Sequence, residues 1–316
     1  MTLSLSAGKI ASYAIRGPNP SPTSLAIEHS QAVHRINLIN AWAPAIGPGT
    51  RVLELGCGQG TCTQALAEAV TSPSPFSTSN PTPTPPHGHI TALDPGAPDY
   101  GSPFTLAQAQ THLSTGPLRD LLTFHRADPV AFLAAHPNDT WEVAVLAHCI
   151  WYFRSPETLG QILTALRGRV QRVCLAEWAL HATEPAAAAH VLAALARAGL
   201  EAQRGGGGSD ENIQMVVGPG VVKGVVRGAG WVVEREGVVV PGRELSDGGW
   251  ETGSVVDGGF AEEVERVVGE GRVRAALMAA RDATVAAAES VGGVGNVRSM
   301  DVWVATLVPG DVVTSS

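Results

Sequence analysis

The chain has 316 residues, enough for one large α/β domain or two small ones, and its 44% hydrophobic and 16% charged content describes a folded protein with a buried core. A formal charge of −8, with 21 basic residues scattered along the chain, offers no cationic face to a phosphate backbone, so nucleic acid is not an expected partner. No run reaches the roughly 18 apolar residues of a spanning helix, and the opening MTLSLSAGKIASYAIRG lacks the charged-then-apolar layout of a secretion signal, so a cytoplasmic protein without membrane contacts is expected.

In chain order, residues 24–43 place Leu25, Ile27, Ala32, Val33, Ile36, Leu38 and Ile39 largely on one helical face, which predicts an N-terminal helix. Residues 1–45 thus form an arm and helix ahead of a main domain spanning 46–316. After the break at Pro44 and Gly47–Gly49, Arg51–Leu55 reads as a short strand, followed by a glycine turn and a helix from Thr61 to Val70. Residues 71–88, TSPSPFSTSNPTPTPPHG, carry six prolines among serine and threonine and read as a mobile surface insertion.

Alternation then resumes with strands at 89–93, 121–125, 143–147 and 172–176 and helices near 103–114, 130–135 and 156–166. Strands alternating with helices at this spacing imply parallel βαβ units and a doubly wound, Rossmann-like sheet. An alanine-rich helix over 184–200 precedes the glycine run at 205–208, and a helix at 219–227 leads into a strand at 231–235. Residues 237–259 are glycine-rich and less regular, 261–290 read as one helical stretch, and 300–308 alternate as a final strand. Additions to the main domain are placed at about 183–212 and 237–299. The four cysteines, Cys57, Cys62, Cys149 and Cys174, fall in or beside strands without zinc-ligand spacing and read as buried thiols. No metal site is expected.

The informative segment is RVLELGCGQG at 51–60. Gly56, Gly58 and Gly60 follow the first strand at its carboxyl end, where open α/β sheets bind ligands, and residues without a Cβ let a ligand approach the backbone. A nicotinamide fingerprint requires G-x-G-x-x-G, whereas here the third glycine comes one residue early and Thr61 takes its place. The second strand ends at Asp94, which lies 20 residues beyond Gly56 once the 18-residue insertion is set aside. A carboxylate there suits a ribose diol, although Asp94 before Pro95 is also a turn signal.

The spacing E-L-G-C-G-Q-G, from Glu54 to Gly60, resembles motif I of class I S-adenosylmethionine-dependent methyltransferases. The resemblance covers roughly residues 24–180 and reaches the end of the chain through topology, because the family's last two strands form a hairpin that matches 231–235 and 300–308. It implies a seven-stranded sheet with an antiparallel last strand, S-adenosylmethionine as cofactor, and Glu54, Gly56, Cys57, Gly58 and Gly60 around it with Asp94 on the ribose. It also sets Asp128 and Pro129, after the third strand, at the family's adenine position, where an aspartate before proline equally caps a helix. Similar proteins close an N-terminal lid over the site, which nominates Tyr13 and Arg16, although a solvated arm reads as well.

Methyl transfer needs a positioned nucleophile and a base for its proton. His148, in the cluster His148–Phe153 after the fourth strand, is the candidate base, with Trp151 and Tyr152 as candidate walls of the substrate pocket. The same residues read equally as a structural histidine and core aromatics. Glu177 and His181 follow the fifth strand on the same side, and Trp250, Glu251 and Asp257 lie in the glycine-rich segment. No Asn/Asp-Pro-Pro-Tyr/Phe sequence follows the fourth strand, which sets nucleobase amines aside and favours a small-molecule oxygen or nitrogen acceptor, a chemistry at home in secondary metabolism. Two other readings stay open: a protein that binds the cofactor and catalyses a rearrangement or cyclisation, and a non-catalytic scaffold. Product mass separates them.

Overall fold

The computed structural model describes residues 3–71, 88–205, 209 and 211–310. The proline-rich insertion and the centre of the glycine run lie outside the described residues.

A short helix α1 (Ala7–Ala11) and the long α2 (Pro22–Trp42) precede β1 (Arg51–Leu55) and α3 (Thr61–Thr71). Then come β2 (His89–Leu93), α4 (Leu106–Thr115), β3 (Leu122–His125), α5 (Pro129–Ala135), β4 (Trp141–Ala147), α6 (Pro156–Ala165) and β5 (Val170–Trp178). The remainder is α7 (Ala188–Glu201), α8 (Pro219–Gly228), β6 (Trp231–Val239), α9 (Asp247–Val256), α10 (Gly258–Val267), α11 (Gly271–Ser290) and β7 (Val302–Pro309).

The seven strands run in the order β3-β2-β1-β4-β5-β7-β6. Pairings from β3 to β5 are parallel, and β7 is antiparallel to both β5 and β6. This is the doubly wound sheet expected from the alternation. The strand order reverses between β1 and β4, the point at which such sheets open a crevice for ligands beyond their carboxyl ends.

Period-two alternation divides each central strand between two cores. Val52, Ile90, Val143, Val145, Cys174 and Ala176 face a layer with residues of α1 to α4. Leu53, Leu55, Ala144, Leu146, Val173 and Leu175 face the opposite layer with residues of α5, α6 and α8.

The structure differs from expectation in three places. The buried face of α2 is set by Ser30, His34, Leu38 and Trp42, recurring every four residues, while Leu25 is 38% exposed. An apolar count overlooks this stripe because half of its upper part is polar. Residues 237–259 are more regular than their glycine content suggests, since β6 runs on to Val239 and Asp247–Val256 is helical. The stretch 261–290 is two helices, because Glu270 caps a new one by accepting from the Arg272 and Val273 N–H groups. Together α7, α9, α10 and α11 bury a small core of their own around Leu200, Val255, Phe260, Val264 and Leu277. This layer meets the N-terminal helix where Gln31 Nε2 donates to Asp247 Oδ2 at 2.8 Å. No helix among the described residues is long and apolar enough to cross a membrane.

Candidate functional site

The site begins where β1 stops. Gly56 has φ +70°, and a Cβ there would stand 2.5 Å from Cys149 Cβ, so the turn after β1 presses directly on the turn after β4. Gly58 has φ +54°, and nothing lies within 4 Å of its Cβ position. One glycine is needed for packing and the other leaves a face of backbone open. Gly60 also has positive φ and leads into α3. Cys57 is buried, and burial pushes its thiol well above the usual range, so it packs and does not react.

Asp94 ties this turn to the second strand. Its Oδ2 accepts from the Gly58 N–H and its Oδ1 from the Gly96 N–H, both at 2.8 Å. A carboxylate has about four acceptor positions, so a further hydrogen bond at each oxygen remains available. Asp128 caps α5, its Oδ1 accepting from the Ala131 N–H at 2.9 Å with Pro129 buried behind it. The helix-cap reading is realised, and Oδ2 is uncommitted.

Glu54 precedes the turn on the face of β1 towards α3. It is 2% exposed, accepts from Thr63 Oγ1 at 2.6 Å, and is pushed up to about 7 by burial. The native state therefore keeps a proton that the unfolded chain gives up near 4.5, and this group's contribution to stability falls as pH rises from there to about 7. Glu54→Gln should accordingly gain stability relative to the parent between pH 5 and 8, by about 2 kcal/mol. Urea unfolding of both proteins at the two pH values checks this, and parallel pH dependences would contradict it.

Beyond β4 and β5 lies a second cluster. His148 has φ +54°, rare for a side chain other than glycine, and its N–H extends the ladder to Ala176 O at 2.8 Å. Its Nε2 lies 2.9 Å from Nε2 of His34 on α2, and its Nδ1 lies 3.6 Å from Glu177 Oε1. Glu177 ends β5 and is 2% exposed; it accepts from the backbone N–H groups of Ile150 (2.8 Å), Trp151 (3.4 Å) and Trp178 (3.0 Å). Burial pushes it up to about 7, while these donors favour the carboxylate. Trp178 packs against both imidazoles, with ring centroids 6.2 Å from His34 and 4.4 Å from His148. Desolvation and the nearby Arg35 guanidinium hold both histidines well below their usual range, so they are neutral at physiological pH. Arg35 itself leaves its buried Nε without a hydrogen-bond partner.

No family model matches the chain. It is 32% identical over 304 residues to methyltransferase phomM' of Diaporthe leptostromiformis, an alignment covering 84% of this chain and 75% of that protein. The protein belongs to the class I S-adenosylmethionine-dependent methyltransferases. Methyltransferase phomM of the same organism is 31% identical over the same coverage. Among solved structures, a cyclopropane-fatty-acyl-phospholipid synthase-like protein from Lactobacillus casei superposes with a TM-score of 0.77 at 26% identity, covering 96% of this chain and 98% of that one. This methyltransferase thus uses S-adenosylmethionine as its methyl donor. Its open Cβ position at Gly58, spare acceptor capacity at Asp94 and the buried Arg35 Nε without a hydrogen-bond partner suit a ligand carrying a diol and a carboxylate.

Other residues singled out from the sequence are placed elsewhere. Tyr13 donates to Glu68 Oε1 at 2.5 Å, with Lys9 on the same carboxylate, about 10 Å along α3 from Thr61. Arg16 pairs with Glu28 at 2.6 Å and ties the arm to α2. Both therefore fasten the N-terminal segment to the methyltransferase body. Trp151 is 4% exposed and packs in the core, its indole donating to Val217 O at 3.1 Å. Tyr152 is 47% exposed. His181 bonds Asp301 at 2.6 Å in a loop tie, and Asp257 caps α10. Trp250 is exposed, while burial raises the Glu251 carboxyl beside it.

His34 and Arg35 escaped the sequence reading. Their signal is a pair of polar repeats, Ser30/His34 and Gln31/Arg35, each four residues apart on a helix whose apolar residues drew the eye to another face.

Proposed function

We propose that this enzyme methylates an oxygen or nitrogen atom of a small molecule. The carrying observation is the contact between Gly56 and Cys149, which sets the cofactor turn directly against the segment bearing His148. In this reading the Gly56–Gly60 backbone lies along the cofactor, Asp94 accepts from the ribose hydroxyls, and Asp128 Oδ2 with Pro129 meets the adenine. The donor supplies an electrophilic methyl group, and the acceptor's proton passes to the buried histidines beyond β4. The acidic chain without a basic face supports a small acceptor over nucleic acid.

Arg35 is assigned to the cofactor's carboxylate, on the strength of its unpartnered buried Nε and of its attraction for Glu54, the carboxyl just ahead of the glycine turn. Arg35→Met should weaken S-adenosylhomocysteine by about tenfold, the worth of one charge-assisted contact. Methylthioadenosine, which has no carboxylate, should bind both proteins alike. Calorimetric titration of the two ligands checks this, and equal losses for both would refute the assignment.

The function itself is tested by confirming S-adenosylhomocysteine binding, then incubating the enzyme with S-adenosylmethionine and panels of phenols, carboxylic acids and amines. Mass spectrometry should find a product in which methyl has replaced hydrogen. Products of unchanged mass would indicate a rearrangement.

A further inference from the structure

The two buried histidines share a hydrogen bond between Nε2 atoms 2.9 Å apart. For two neutral rings this requires one Nε2 to carry hydrogen and the other to accept it. If His34 were the acceptor, its proton would sit on Nδ1, and the Nδ1 lone pair of His148 would face, at 3.6 Å, a Glu177 carboxylate whose charged form three backbone donors favour. The reverse choice replaces that repulsion with an attraction, although His148 Nδ1 at 3.6 Å is still beyond hydrogen-bond distance of the carboxylate. His34 Nε2–H donates to His148, and His148 Nδ1–H is directed to Glu177, whose other acceptor sites are filled by backbone donors.

That choice leaves His34 Nδ1 as a bare acceptor. The ring is 2% exposed and this nitrogen has no partner. A buried acceptor without a donor costs about 1–3 kcal/mol, and the positive φ of His148 adds a second cost beside it. The third histidine of the cluster also has a buried ring nitrogen without a hydrogen-bond partner, Nε2, but as a donor and not an acceptor. His190 accepts from the Met300 N–H on Nδ1, so its Nε2–H is a donor, held edge-on to Trp178 with centroids 5.0 Å apart.

Resting on the methyl-transfer reading above, we propose that His34 is the base that takes the acceptor's proton on Nδ1, with His148 and Glu177 as positioning residues that fix its tautomer. The acceptor's lone pair forms the new bond to the methyl carbon while the carbon–sulfur bond breaks and its electrons stay on sulfur. The O–H or N–H proton moves to His34 Nδ1, and the resulting imidazolium shares its Nε2–H with His148, whose Nδ1–H faces the Glu177 charge. Arg35, Glu177 and His190 are the titratable groups acting on the pair, and Arg35 in turn acts on Glu54 and Asp247.

Imidazole nitrogen NMR on the full chain saturated with S-adenosylhomocysteine, assigned with His34→Asn and His148→Asn, reads the tautomers without any acceptor. His34 should be protonated on Nε2 and bare on Nδ1, and His148 protonated on Nδ1. The opposite pair of tautomers overturns the proposal. With an acceptor from the mass-spectrometric screen, His34→Asn should lower kcat by about 100-fold or more, with KM and S-adenosylhomocysteine affinity within about threefold. Added imidazole should restore part of the turnover of His34→Ala, which a purely structural role would not allow. Retained turnover in His34→Asn, or loss of S-adenosylhomocysteine binding together with turnover, overturns the assignment. Failure of every acceptor to gain methyl counts against the methyl-transfer reading, and the tautomer result then stands by itself.

Discussion

Gly56→Ala is expected to destabilise the enzyme by about 2–4 kcal/mol, the sum of a left-handed backbone at a residue with a Cβ and a methyl group forced into a packed contact. The contact cannot relax easily, because the atom 2.5 Å from the new Cβ is Cys149 Cβ, fixed to the backbone. A loss of this size is a large part of a total stability of about 5–15 kcal/mol. Cys149 is also the neighbour of His148, so any movement that relieves the clash displaces the proposed base cluster. A double variant separates the two contributions. Adding Cys149→Gly removes the obstructing atom and should recover the steric part of the loss, leaving the backbone part. Denaturant unfolding of the four proteins in the cycle measures this, and strict additivity of the two substitutions would show that the contact carries no energy. Gly58→Ala is the contrasting case: its Cβ position is open, so the stability loss should be only about 1 kcal/mol while cofactor affinity falls.

Asp94→Ala has the largest effect expected on cofactor binding. Hydrogen bonds to a charged group contribute about 1.5–3 kcal/mol each, so two ribose hydroxyls deprived of their acceptor predict a loss of S-adenosylhomocysteine affinity of about 100-fold or more. The same carboxylate holds the Gly58 and Gly96 N–H groups, so the glycine turn also loses its tie to β2. Asp94→Asn keeps one oxygen and should preserve more of the stability than of the affinity. Because methylthioadenosine retains the ribose, it should lose affinity with both Asp94 variants and keep it with Arg35→Met. A profile in which Asp94 variants bind methylthioadenosine normally would remove Asp94 from the ribose.

What could be read from the sequence was whatever local chemistry controls. The alternation of strands and helices follows from the periods of apolar residues, and β1, β2 and α3 begin where expected because glycine and proline punctuate the chain there. The glycine turn was legible for the same reason: residues 56–60 need backbone angles and close contacts that few side chains permit. Asp94 was nominated by counting, once the insertion was set aside, and the fold ties it to the Gly58 N–H. Asp128 shows the limit of this approach, since an aspartate before a proline is both a helix cap and a ligand position, and only the Ala131 N–H at 2.9 Å established the cap.

The tertiary structure decided everything that depends on which face of an element is covered. His34 and Arg35 sit in a helix that sequence periodicity oriented by its apolar residues, and no local rule says that a polar stripe will be turned inward over the ends of β4 and β5. Only the folded chain shows that Trp151 is buried with its indole donating to the Val217 carbonyl. The glycine-rich 237–259 segment became α9 because packing against α7 and α2 outweighs poor intrinsic helix propensity. By itself the sequence determined a methyltransferase sheet and the glycine turn at the end of its first strand, because strand period and glycine geometry are properties of neighbouring residues. The residues proposed to handle the acceptor's proton lie on α2, just after β4 and near the end of β5, and only the folded chain brings them together.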